Sequence, residues 1–306
     1  MTSESIIVLL FPVIVRQTTP VLLAALGGMF CYRAGCMNIS LEGLMLISAF
    51  TSISVTAAYG HWAVGMIAGI IASVLFAMIH AFLTIKYKAQ IIITGFVINT
   101  LASAITVFLL QIIHGVTGSY MPKDLCTIPI VNFFSEESQT ILGALINGHS
   151  IVFWIALGIT VILSLVLYKT PYGTHVIAVG ENATAARSVG IKDTLIKYSA
   201  FVICAVLCGI AGSYYSTGAT NIFVRDMIAG MGFMGIAVMH LGRNTPFGVL
   251  LASLIFGTTK SVALYVKTSE AIIALIPAQF IEMMPYLITI IILVVDKLVS
   301  VKKKLA

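Results

Sequence analysis

Polar side chains at helical spacing interrupt otherwise apolar stretches of this 306-residue chain. In the run 90–113, Asn99, Ser103 and Thr106 follow one another at i, i+4 and i+7 and therefore share one helix face. Amide and hydroxyl groups are costly to expose to hydrocarbon, so this stripe points inward. It either hydrogen-bonds neighbouring helices or lines a polar path.

A second polar pair, Asn38 and Glu42, opens another apolar run at a spacing of four residues, which predicts one shared helix face. In the functional interpretation, the pair would line the inner end of a translocation path. As local structure, Asn38 would cap the helix and Glu42 would stabilise its positive N-terminus. Phe233 follows Gly230 and Gly232. These residues either allow close helix packing and a kink, or Phe233 lies on the path.

The segment "VGENATAARSVGI", residues 179–191, is polar and lies between two uncharged runs. Asn182 is a suitable N-cap, residues 183–189 have the propensity of one short helix, and Gly190 can provide a left-handed stop. Ala185 and Ala186 would leave the surface of this helix smooth enough for another protein to approach. The alternative is a surface turn that only links two spans.

Several chemistries are absent from the sequence. It lacks the GxxxxGK[ST] loop for ATP phosphates, the HExxH motif of zinc proteases and the GxSxG turn of serine hydrolases. The five cysteines show no metal-ligand spacing, and the basic residues flank apolar runs rather than forming a nucleic-acid patch. The sequence therefore predicts no metal, no cofactor and no enzymatic activity on this chain, and no nucleic-acid partner.

The composition determines the fold class. Hydrophobic residues make up 59% of the chain and charged residues 9%, whereas soluble domains carry roughly a quarter charged residues. We expect an all-α polytopic transmembrane bundle of about nine to ten spans in a single domain, residues 1–306, with lipid as a partner. The candidate spans are 6–31, 38–58, 62–85, 90–113, 151–168, 195–217, 227–241, 246–266 and 272–296.

Two of these runs are irregular. Arg16 and Pro20 interrupt the first, which predicts a broken helix or an interfacial helix followed by a short span. The run 227–241 is short and glycine-rich, which favours a half-helix covered by other helices. "NISLEGLMLIS" and "RDMIAGMGFMG" resemble each other loosely, as the halves of an inverted repeat do, although chance would also produce such similarity.

The distribution of Lys and Arg predicts the orientation. With residues 169–194 inside the cell, the inner connections and the C-terminal tail carry twelve basic residues and the outer connections three. The segment "VGENATAARSVGI" therefore faces the cytoplasm, and the connection 114–150 is external. Ionisable groups are scarce in the predicted mid-membrane region, which argues against an ion-coupled carrier.

Four stretches in this order resemble one family: "TTPVLLAALGGMFCYRAGCMNISLEGLMLISAF", "TGFVINTLAS", "YKTPYGTHVIAVGENATAARSVGI" and "AGMGFMGIAVMHLGRNTPFG". They are similar to permease subunits of bacterial ABC importers for nucleosides and simple sugars, within the branched-chain amino acid and ribose permease group. Ala183 and Lys260 depart from the family pattern, and the second makes the substrate harder to infer.

The resemblance implies a multi-pass protein of the bacterial plasma membrane whose cytoplasmic segment docks on a separate ATPase that binds ATP and Mg. It implies a second permease chain as a heterodimer partner and an extracellular substrate-binding lipoprotein. Nucleoside import is the expected function, with a simple sugar as the alternative and an ion-coupled carrier or a structural scaffold as competing classes. The residues that the resemblance assigns to docking are Gly180, Glu181, Asn182, Ala185, Ala186, Arg187 and Gly190.

Overall fold

The computed structural model describes residues 3–132 and 147–267, together with isolated helical positions at 280, 281, 283, 284, 287, 291 and 294. Within residues 3–132 and 147–267 the helices are α1 (Ser3–Arg33), α2 (Leu41–Tyr59), α3 (Trp62–Ala81), α4 (Ile91–His114), α5 (Ile151–Lys169), α6 (Pro171–Glu181), α7 (Ala183–Ser188), α8 (Asp193–Tyr214), α9 (Met231–Leu241) and α10 (Pro246–Val266). Short π-helical turns extend α3 over Phe82–Lys86 and α8 over Tyr215–Thr220.

The strands are β1 (Ser119–Tyr120), β2 (Ile130–Val131), β3 (His149–Ser150) and β4 (Phe223–Val224). They form two antiparallel pairs, β1 with β4 and β2 with β3. Both pairs involve the connection after α4, which was predicted to be external. The sheet content is small, and the fold is an all-α polytopic bundle.

Seven helices in the described residues are long and apolar enough to cross a membrane: Leu10–Arg33, Leu41–Tyr59, Trp62–Lys86, Ile91–His114, Ile151–Lys169, Asp193–Thr220 and Pro246–Val266. Each corresponds to a predicted run. The run 227–241 instead contains the 11-residue helix α9, which at 1.5 Å per residue is about half as long as a span requires. The ninth run, 272–296, lies almost wholly outside the described residues, so a count of nine to ten spans is not established.

The expected break in the first run is wrong. α1 is continuous although it contains Pro12 and Pro20. The Thr19 hydroxyl donates to the Val15 carbonyl at 2.7 Å, which adds a bond in the turn before Pro20. α10 also packs tightly here, since a Cβ on Gly257 would lie 1.9 Å from Thr18 Oγ1. Cover by a neighbouring helix lets the proline-containing turn persist in the membrane.

Two helices begin inside the bundle rather than at its surface. Residues 34–40 are not helical and run alongside α4. α2 begins only where the chain reaches Asn99 of α4. Asn99 lies eight residues into α4, or roughly 12 Å from its N-terminal end. α9 also begins there, because Gly232 in its first turn packs against the Glu42 backbone. The N-termini of α2 and α9 therefore meet within the depth of the bundle.

Candidate functional site

Glu42 connects the two helix starts. One carboxylate oxygen accepts the Gly230 N–H at 2.7 Å and the other accepts the Gly232 N–H at 2.7 Å. These donors belong to the first turn of α9, whose free N–H groups and helix dipole favour an anion. A Cβ on Gly232 would lie 2.3 Å from the Glu42 nitrogen, so glycine is required for this approach. Glu42 thus caps a helix that lies far from it in sequence, a role that the sequence did not indicate.

Asn99 joins α4 to the start of α2. Its side-chain oxygen accepts the Gly43 N–H at 2.8 Å, and its amide nitrogen donates to the Ile39 carbonyl at 3.1 Å. Both partners are backbone groups at the start of α2, where the preceding residues 34–40 are not helical. Of the two interpretations of the polar stripe, this geometry fits interhelical bonding at Asn99.

The expectation that Asn38 and Glu42 share a helix face is wrong, because α2 begins only at Leu41. The Asn38 side-chain oxygen accepts both the N–H and the hydroxyl of Ser40, which holds the chain in a turn before the helix. Its amide nitrogen donates to Cys204 Sγ at 3.3 Å, and His80 Nδ1 bonds the Ser40 hydroxyl. Asn38 is fully buried, so it holds the start of α2 in place and has no free surface here.

The remaining stripe residues separate in the structure. The Ser103 hydroxyl donates to an Asp226 carboxylate oxygen at 2.5 Å. Thr106 is buried and donates to the Ser103 carbonyl of its own helix. The other Asp226 oxygen lies 3.4 Å from Arg225 Nε, and the side chains of this pair are 51% and 63% exposed. An exposed carboxylate therefore contacts α4 halfway along its length, a depth at which the sequence had suggested few ionisable groups.

Phe233 lies in the first turn of α9 and stacks on Phe96 of α4, with ring centroids 5.8 Å apart and an interplanar angle of 30°. The two side chains are 39% and 52% exposed. Phe233 thus packs against a neighbouring helix and keeps an open face, and its place on the path stays a prediction.

The segment 179–191 has the predicted local structure. The Asn182 side chain accepts the N–H groups of Thr184 and Ala185 at 3.0 Å each and begins α7. Gly190 has a φ of +88° and follows the end of the helix, where a side chain would be strained. α7 is a six-residue helix, slightly shorter than predicted, and it ends at Ser188.

Three contacts brace α6 and this segment against the bundle. A Cβ on Gly180 would lie 2.1 Å from the Arg33 carbonyl oxygen, so the segment touches the end of α1. Arg187 forms a two-point ion pair with Asp193 in the first turn of α8, with distances of 3.1 Å.

The third contact is the hydroxyl pair between Tyr172 and Ser199, 2.5 Å apart. Burial raises the pKa of Tyr172, which keeps its hydroxyl protonated and able to bond. The segment is therefore fixed to both α1 and α8.

The exposed face of the segment differs from the predicted one. Ala186 is only 4% exposed and packs against the chain's own core. Glu181, Asn182, Ala185, Arg187 and Gly190 are exposed. Val189, which the sequence did not suggest, is 75% exposed. Ala185 and Val189 are four residues apart at the end of α7, and we call these two side chains the apolar ridge.

Arg33 links the C-terminal end of α1 to the turn after α9. Its Nε donates to the Asn244 carbonyl at 2.7 Å, across 211 residues of sequence. Because Gly180 packs on the backbone of the same arginine, the bracing contacts of the segment and the end of α9 meet at one residue. The other end of α9 carries Phe233 and the Glu42 cap. Contacts through Arg33 and α9 therefore connect the segment with the interior of the bundle.

Sequence reasoning missed Asp226, Phe96 and Val189. The first two could be identified only after the fold brought residues on different helices together. Val189 is an isolated apolar residue after a polar helix, a signal that the sequence does contain. In the part of the chain that the structure describes, no group of three or more His, Cys, Asp or Glu side chains could hold a metal ion.

Comparison with known proteins identifies relatives over nearly the whole length. Residues 12–294 match the family described as the permease component of the branched-chain amino acid transport system. The chain is 33% identical to the nucleoside ABC transporter permease protein NupC of Lactococcus lactis subsp. cremoris, over 90% of this chain and 88% of the relative. It is 31% identical to the guanosine ABC transporter permease protein NupQ of Bacillus subtilis, over 95% and 92%.

A more distant relative carries a different substrate name. The chain is 27% identical to the glucose ABC transporter permease protein TsgB13 of Haloferax volcanii, over 89% of this chain and 73% of the relative. No solved structure matches the chain.

Proposed function

Because the chain belongs to the family of branched-chain amino acid transport permease components, we propose that it is the membrane subunit of an ATP-driven importer that carries nucleosides into the cell. The observation that carries the substrate class is the similarity to two permeases named for nucleosides and guanosine over about nine-tenths of the chain. Family membership makes the chain a multi-pass transport component of the plasma membrane rather than an enzyme. ABC permeases work with ATP-hydrolysing and substrate-binding partners.

The finer organisation is part of the proposal. ATP and Mg bind a separate ATPase, a second and different permease chain completes the membrane unit, and an extracellular lipoprotein delivers the substrate. Residues 1–306 form one permease domain, with 114–150 outside and 169–194 inside. The apolar run 272–296 would bring the count from seven to eight spans, or to nine if the half-length helix α9 is included. The opposed entry of α2 and α9 into the bundle supports an inverted repeat, whose interface is where transporters place their substrate.

The docking element is the segment 180–190, with the apolar ridge as its contact surface. Small and apolar side chains allow close approach, and a charge placed at the centre of an interface would be buried without a partner. Arg187 lies at the rim and is already paired with Asp193. Ala186 supports the helix from beneath, since it is covered by the chain itself.

Helix α9 would transmit the effect of ATP hydrolysis to the substrate path. Movement of the segment displaces the end of α1 at Gly180, and Arg33 carries the displacement to the turn at Asn244. α9 is a short rigid helix, so its N-terminus moves with its C-terminus. The Phe233 side chain and the Glu42 cap at that end then change their position relative to α4.

Docking is tested by Val189→Asp, with Thr174→Glu on the exposed side of α6 as the matched control. We expect Val189→Asp to reach the membrane at normal yield but to lose the ATPase on purification. Thr174→Glu should retain it. Full retention of the ATPase by Val189→Asp, with normal uptake, would show that the ridge is not the contact.

The substrate is tested by uptake of guanosine into cells that express the chain with its ATPase, second permease and binding protein. We expect unlabelled nucleosides to compete and glucose to leave uptake unchanged. A simple sugar is the second candidate, because the chain also aligns with a glucose permease. Competition by glucose but not by nucleosides would replace the first assignment with the second.

A further inference from the structure

We propose that Phe96 and Phe233 form a stacking step for the flat base of a nucleoside, and that Asp226 beside them accepts hydrogen bonds from the sugar hydroxyls. This inference rests on the proposed function and adds to it the place where substrate is recognised inside the membrane. The two rings come from α4 and α9 and contact each other with both side chains partly exposed.

The face that carries Phe96 is polar as well as aromatic. Phe96, Thr100 and Ser103 lie at i, i+4 and i+7 on α4, and Ser103 bonds the exposed carboxylate of Asp226. Ser103 is twelve residues, or roughly 18 Å, from the cytoplasmic end of this helix. Ionisable groups at membrane depth face a water-filled cavity or the bundle interior rather than lipid. This face of α4 therefore borders a path.

A second face of the same helix has the character expected next to lipid. Exposed apolar side chains dominate this face: Ile93, Val97, Leu101, Phe108 and Ile112. The contrast shows that the exposure of Phe96 is not explained by the general hydrophobicity of α4. It also provides a control, since Phe108 is exposed on that second face.

The chemistry of these three side chains matches the two parts of a nucleoside, the base and the sugar. Aromatic side chains can stack on every base, because every base has a π-face, and the remaining preference follows stacking strength, which is greater for the larger purine than for the pyrimidine. The Asp226 carboxylate has about four acceptor positions, and Ser103 and Arg225 each approach one oxygen. The remaining positions are available to sugar hydroxyl groups.

The rings must separate for a base to pass between them. Their centroids are 5.8 Å apart, whereas a base between two parallel rings needs about 7 Å, twice the usual carbon contact distance. The base would therefore replace the contact between the two rings with its own contact to one or both of them. Phe233 can withdraw because it belongs to α9, the helix that the cytoplasmic segment moves.

The experiment measures initial rates of ATP-dependent guanosine and uridine uptake in proteoliposomes that contain the complete transporter. We expect Phe96→Leu to lower guanosine uptake about tenfold, within the range of one aromatic stack, and to lower uridine uptake less because the pyrimidine is smaller. Phe96→Trp should remain within about twofold of wild type. Phe108→Leu should do the same.

Phe233→Leu repeats the test from the other helix if Phe96→Leu does not assemble. Uptake by both leucine variants within twofold of wild type would overturn the inference, and so would equal losses for guanosine and uridine. A wild-type transporter that imports neither nucleoside would instead contradict the proposed function. The two failures are therefore distinguishable.

Discussion

Replacing Glu42 by glutamine removes the negative charge that caps α9 and one of the two acceptors that its N–H groups use. The wild-type carboxylate accepts the Gly230 and Gly232 N–H groups at 2.7 Å each. In Glu42→Gln one amide oxygen can still accept, but the amide nitrogen is a donor and faces the other N–H group. One buried donor is then left without a partner.

The magnitude follows from these two bonds. Each hydrogen bond to a charged group contributes about 1.5–3 kcal/mol, and a neutral one about 1 kcal/mol. The loss of one bond, the weakening of the other and the loss of the charge at a helix N-terminus together lower the free energy of unfolding by about 3 kcal/mol. Glu181→Gln is the matched control, because Glu181 is exposed and its change should stay within about 0.5 kcal/mol.

Equilibrium unfolding of the purified subunit in mixed micelles, followed by circular dichroism, measures both variants. A difference of less than 0.5 kcal/mol between Glu42→Gln and wild type would refute the role of Glu42 as the cap of α9.

Three further changes test the other contacts. Asn99→Leu removes the bridge to Ile39 and Gly43 and should lower the free energy of unfolding by about 2–4 kcal/mol; normal unfolding with impaired uptake would instead place Asn99 on the path. Gly180→Ala forces a methyl group against the Arg33 carbonyl, and we expect destabilisation of about 1–3 kcal/mol in the same assay; an unchanged unfolding curve would contradict the close approach. Arg33→Gln loses the bond to the Asn244 carbonyl, so uptake should fall while the ATPase still co-purifies; normal uptake would remove Arg33 from the coupling route.

Local features of this chain could be predicted from sequence because their partners are close along the chain. The Asn182 side chain bonds N–H groups two and three residues later, and Gly190 needs only its own backbone conformation. The apolar runs likewise determine the spans, since each must fill the membrane by itself. The shortness of α9 was also visible, because its run contains several glycines.

The site could not be predicted because its contacts join distant residues. Glu42 and Gly230 are 188 residues apart, and nothing near Glu42 in sequence indicates which helix start it caps. Asn38 was misplaced because its spacing to Glu42 fits a helix, while its side chain stabilises a turn instead. Ala185 and Ala186 are identical in type, and only the packing of α7 decides that the second is buried.

The central claim is that ATP hydrolysis on a partner drives nucleosides through this chain. Its most direct test is guanosine uptake into proteoliposomes that contain the chain, its second permease and its ATPase, with the binding protein added outside. The account predicts concentrative uptake that requires ATP in the lumen, where the ATPase faces, and persists when ionophores abolish proton and sodium gradients. Uptake that follows an ion gradient and proceeds without ATP would contradict it.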